Sequence, residues 1–177
     1  PAGATKALAH AMRTMLTQAI AALLCTVATP ASAAHLRLVG VVTDKATASP
    51  LADASVRIYK NGEKLRTLAT TANGRYEVLL DNNADYVIRF ALPGHVSKCY
   101  TVSTHGPEWQ GDHSVKEVFI EMTMLERLPE LDLSLFDLPM GIAKFDPLNG
   151  RLSWDEGYDE RIRPEITTLM AAYERIL

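Results

Sequence analysis

From about residue 34 to residue 127, apolar and polar residues alternate with a period close to two, as they do in strands with one buried and one wet face. Ser55-Val56-Arg57-Ile58-Tyr59-Lys60 shows the alternation cleanly. Asn61-Gly62 follows at once, a pair that tolerates the positive φ of a tight hairpin turn. Asn73-Gly74, Asp81-Asn82-Asn83 and Pro93-Gly94 punctuate the rest. The predicted strands are His35–Thr43, Ser55–Lys60, Lys64–Thr70, Tyr76–Leu80, Tyr86–Leu92, Val96–Val102 and Val115–Leu125. A lone hairpin is unstable in water, so these strands must share a core. Seven short strands with frequent turns predict an all-β, antiparallel seven-stranded sandwich. Its expected core is Val56, Ile58, Tyr76, Val78, Leu80, Val87, Phe90 and Phe119.

The pattern changes at both ends. Met12-Arg13 precedes an apolar run, Leu16 to Val27, which ends at Ala31-Ser32-Ala33. A short basic start, an apolar stretch too short to span a bilayer and an Ala-x-Ala ending predict an export signal within residues 1–33. An Ala-rich amphipathic helix is the alternative. Residues 34–127 form the predicted sandwich, and residues 128–177 a predicted acidic C-terminal extension. In that extension Ile142–Phe145 and Arg151–Trp154 flank a turn. Ile166, Leu169, Met170, Tyr173 and Leu177 recur at helical spacing, so a final α-helix is expected from about Pro164.

Several residues of the sandwich region carry a resemblance. Gly40-Val41-Val42-Thr43-Asp44, Pro50-Leu51-Ala52-Asp53-Ala54-Ser55-Val56, Thr71-Ala72-Asn73-Gly74-Arg75-Tyr76, Ala84-Asp85-Tyr86-Val87-Ile88 and Gly94-His95 stand in the order and spacing of one family. They resemble the carboxypeptidase regulatory-like domain, a transthyretin-like (prealbumin-like) Greek-key sandwich. The tail, with Leu131-Asp132-Leu133-Ser134-Leu135-Phe136 and Pro139-Met140-Gly141-Ile142-Ala143-Lys144-Phe145, is similar to the extension of small exported proteins of the Bacteroidetes type that carry this domain. The resemblance implies a fold more than an activity, because the matching residues are structural and the domain is an accessory in enzymes that carry it.

Charge sharpens this division. The whole chain has net charge −3, which gives no electrostatic case for nucleic acid. Residues 34–127 balance at eleven acidic and eleven basic residues, whereas residues 128–177 hold ten acidic against five basic. Removal of the leader would take Cys25 with it and leave Cys99 alone, so no intramolecular disulfide is expected.

Candidate chemistry is sparse. His105-Gly106-Pro107-Glu108 spells H-x-x-E, but five His and eleven Glu make such a spacing easy to meet by chance. His95, His105, Asp112 and His113 could gather round a metal, although solvated loop residues are the plainer reading. Asp155, Glu156, Asp159 and Glu160 read as an acidic, solvated lead-in to the last helix. No cofactor, metal site or catalytic residue is predicted. The candidate ligand or partner surface comprises Trp109, His105, His113, Trp154 and Tyr158, with Trp109 beside Tyr100 or Trp154 beside Tyr158 as aromatic platforms for a glycan. The expected role is that of a non-enzymatic exported protein, structural or protein-binding at the cell envelope. Its place would be periplasmic, outer-membrane-associated or extracellular, with no transmembrane span once the leader is gone. A carbohydrate-binding module is the alternative.

Overall fold

The computed structural model describes residues 34–106, 115–147 and 149–177. Among them, ten strands, a 3-10 turn and a helix follow one another as β1 (Ala34–Asp44), β2 (Ser55–Lys60), β3 (Glu63–Ala69), β4 (Arg75–Asp81), β5 (Asp85–Ala91), β6 (Lys98–Ser103), β7 (Lys116–Phe119), β8 (Met122–Met124), the turn Ser134–Asp137, β9 (Pro139–Asp146), β10 (Arg151–Trp154) and α1 (Glu156–Glu174). The smaller sheet is ordered β4-β1-β7, with β8 also paired to β1 beyond β7. The larger is ordered β10-β9-β6-β5-β2-β3.

A sandwich is therefore present, but it is neither seven-stranded nor purely antiparallel. Strand β1 runs parallel to β7 and β8, and β6 runs parallel to β9. Two physical causes account for the difference. The single strand predicted over Val115–Leu125 breaks at Ile120, whose carbonyl takes the hydroxyl proton of Tyr76 at 2.7 Å. The tail returns to the larger sheet and adds the β9–β10 hairpin to its edge, with Phe145 opposite Leu152 and Ala143 opposite Trp154.

Alternation selects the core. Leu36, Leu38, Val56, Ile58, Val78, Leu80, Tyr86, Ile88, Phe90, Tyr100, Val102, Ala143 and Phe145 are buried between the sheets. Val87 and Phe119 are corrections to the expected core. On β5 the inward register belongs to Tyr86, Ile88 and Phe90, so Val87 points outward. Phe119 lies opposite Val39 on the outer face of the smaller sheet and is largely exposed. The predicted hairpin turn holds, since Asn61 and Gly62 both have positive φ.

A second cluster joins Val96, Leu125, Leu133, Phe136 and Tyr173. Helix α1 starts eight residues earlier than the expected Pro164. Asp155 caps it by accepting the Tyr158 N–H at 2.9 Å, and Glu156 and Asp159 lie in its positive first turn. The predicted lead-in is thus the first turn itself. Pro164 is tolerated mid-helix because it lies on the solvent side, where the Glu160 carbonyl that the ring leaves without a backbone donor can bond to water.

Lys98 is the unusual member of this region. It is buried, donates to the Thr123 carbonyl at 2.8 Å and lies over the Phe136 ring at 4.8 Å. Among the described residues no carboxylate pairs with it. Burial, with Lys45 adding repulsion, pushes its ammonium down to about 8. The unfolded chain keeps this proton up to roughly pH 10.4, so stability rises with pH between those two values. Lys98→Met is expected to add about 1–2 kcal/mol at pH 7, an advantage that shrinks towards pH 10. Urea unfolding at both pH values checks this, and an unchanged or lower midpoint at pH 7 would refute it.

Candidate functional site

The larger sheet has more strands than the smaller one can cover. At its β10 edge, side chains that face inward run out of an opposing sheet, and Trp154 is the result. It sits opposite buried Ala143 and so points to the inner face, yet it remains 45% exposed. Gly141 lies two residues from Ala143 on that same face. A Cβ there would meet the six-membered part of the indole at 2.6 Å, so the glycine lets the ring come this close to β9. The Cε3–Cζ3 edge of the indole is thereby packed against Gly141.

Around this ring is a groove of about 390 Å³. It is lined by Trp154, Gly141, Tyr100 and Ile120–Met122 and, around the start of α1, by Asp155, Glu156 and Asp159. Trp154 meets Tyr100 edge to face, with centroids 6.4 Å apart and planes at 74°. The stack continues inward through Phe90 to Tyr76. Tyr76 gives its proton to Ile120, so the 3.3 Å contact between the two tyrosine hydroxyls must have Tyr100 as donor. Burial pushes Tyr76 up to about 12 and Tyr100 well above the usual phenol range, so both are neutral at physiological pH.

The groove is strongly one-signed. Among the described residues, Glu121, Asp155, Glu156 and Asp159 line it, and no Lys, Arg or His does. Glu121 accepts the Thr43 hydroxyl at 3.0 Å, and Asp155 is occupied as the helix cap. Asp159 pairs with Arg163, one turn along the helix.

Of the residues proposed from sequence, Trp154 belongs to this groove. Tyr158 does not line it. Its hydroxyl donates to the Pro139 carbonyl at 2.7 Å, and the Arg161 guanidinium lies 5.8 Å from its ring. Tyr100 is buried, and its ring stands nearly upright to Trp154. Neither tyrosine therefore extends a flat aromatic strip. Trp109, His113, Asp112 and Glu108 lie outside the described residues. His105 is on the surface, with Nδ1 2.8 Å from Asn83 Oδ1 and Nε2 3.4 Å from Asp85 Oδ2.

His95 is held elsewhere, its Nε2 3.3 Å from Asp44 Oδ2. Burial would raise the Asp44 carboxyl, but bonds from Thr47, His95 and Ala46 together hold it below its ordinary value. Among the described residues no three His, Cys, Asp or Glu side chains come together to hold a metal ion. Cys99 is buried, and burial raises its thiol, which suits a packing role. Sequence reasoning missed Gly141, Glu121 and Ile120. A glycine inside a strand pattern was the available signal for the first, because it marks a close approach. Among the described residues no helix is long and apolar enough to cross a membrane.

No family model matches the chain, and no curated protein does. Similar solved structures include 3-chlorocatechol 1,2-dioxygenase from Rhodococcus opacus 1CP, 13% identical over 52% of this chain and 59% of that one, with a TM-score of 0.38. Catechol 1,2-dioxygenase from Acinetobacter sp. ADP1 is 15% identical over 57% and 55%, with a TM-score of 0.40. The Klebsiella pneumoniae 5-hydroxyisourate hydrolase is 15% identical over 49% and 89%, with a TM-score of 0.32. The match thus spans little more than half the length of the two dioxygenase chains. Enzymes stand among these neighbours, which corrects the expectation that the chain is not one. At these identities and TM-scores no activity passes from them to this chain.

Proposed function

We propose that this chain is an exported β-sandwich module of the cell envelope that acts by binding a partner protein, with the Trp154 groove as the binding site. The observation that supports this reading is the seating of Trp154. An inward-facing indole is left half open at the sheet edge, packed against a glycine and bordered by a second element. Half-open aromatics of this kind serve as anchors in protein interfaces. The finer family reading, a carboxypeptidase regulatory-like domain, agrees with such an accessory role. The leader-like stretch from Met12 to Ala33 points to export.

A glycan could also stack on Trp154, but carbohydrate binding gains most from several coplanar rings, and Tyr100 and Tyr158 supply none. The test is capture from envelope extracts by the full chain, by Trp154→Ala and by Gly141→Ala, whose new methyl would displace the indole. The expected result is one protein that is retained by the native chain, lost by both variants, and bound again when purified. Retention of that protein by both variants would remove the groove from the interface. A polysaccharide lost by both variants would replace the protein partner with a glycan.

A further inference from the structure

The geometry points to an organic cation as the group that enters the Trp154 groove: the ammonium or guanidinium end of a basic side chain presented by the partner. This inference rests on the groove being the binding site. Two independent features converge on it.

The first is the indole. With its Cε3–Cζ3 edge against Gly141 and the residue 45% exposed, Trp154 offers the ring type over which a cation is best held. The second is charge. Among the described residues, four carboxylates line the groove and no basic side chain does, and Glu156 has no partner there. Arg163 offsets only Asp159. An anion would be repelled, and an entering cation would meet acceptors still able to take hydrogen bonds.

The probes are N-acetylarginine methylamide, N-acetyllysine methylamide, their uncharged analogue N-acetylnorleucine methylamide, and methyl glucoside. Titration calorimetry on the full chain measures affinity. Trp154 fluorescence in a Trp109→Phe background locates the site. The two cationic probes should bind at least ~10-fold tighter than norleucine and weaken several-fold between about 50 and 500 mM salt. Glu121→Gln combined with Glu156→Gln should weaken them at least ~5-fold, and Trp154→Ala should abolish binding. Equal binding of norleucine, or no binding of either cation while partner capture still depends on Trp154, would overturn the cation and leave the groove reading standing. Arginine binding that survives both Trp154→Ala and Gly141→Ala would overturn the site. Glucoside binding lost in Trp154→Ala would overturn the cation in favour of a sugar.

Discussion

Gly40→Ala is expected to destabilise the sandwich by at least ~3 kcal/mol, the high end of overpacking costs. A Cβ at this position would stand 1.8 Å from the Ile120 carbonyl oxygen and 2.8 Å from a ring carbon of Tyr76. Relief by rotating a flexible side chain is not available, because the nearer obstacle is backbone. Ile120 is also where the chain passes from β7 to β8, its N–H bonded to the Val39 carbonyl and its own carbonyl to the Tyr76 hydroxyl. Moving Ile120 away from an alanine would loosen both bonds, and with them the parallel pairing on β1. Tyr76→Phe removes only the hydroxyl and should cost about 1 kcal/mol. The double variant should cost less than the sum, because the alanine has already displaced the acceptor. Urea unfolding of the three variants measures this. A loss below ~1 kcal/mol for Gly40→Ala would show that the Ile120 carbonyl does not approach Gly40 so closely.

This close approach shows how far the sequence could be read. Alternation placed the strands well, because one side of each strand is in the core and the other is in water. On β2, β4 and β5 the buried residues stand where the period of two puts them. Alternation says nothing about which strand lies beside which, however. The parallel pairs of β1 with β7 and of β6 with β9 join residues far apart in the chain, and no local pattern encodes them. The groove follows the same logic. Trp154 stood out as a large aromatic, but its surroundings come from Gly141, Tyr100 and Ile120–Met122, which meet only when the tail joins the larger sheet. Helix α1 was recognisable by its apolar spacing. Its start was misplaced because Pro164 resembles a first-turn proline, whereas Asp155 is the residue that caps the helix.

Tyr173→Ala should cost about 3–5 kcal/mol, the usual range for removing a fully buried aromatic. The apolar face of a terminal helix can pack on its own core or on a partner. The structure places Tyr173 at the centre of the second cluster, fully buried, with its hydroxyl donating to the Glu126 carbonyl at 3.2 Å. Leu169 and Met170 flank it, while Leu177 at the end of the chain stays exposed. The hydroxyl and the ring can be separated experimentally. Tyr173→Phe keeps the ring and should lose only about 1 kcal/mol. The alanine leaves a void beneath a helix that otherwise docks through half-buried residues, so the helix should detach before the sandwich melts. Hydrogen exchange should then show the amides of α1 exposed in Tyr173→Ala while those of β2 and β5 remain protected. A helix that instead belonged to a partner would give the same melting midpoint and the same α1 protection in the isolated native chain and in the alanine variant. That result would reverse the assignment of this face to the protein's own core.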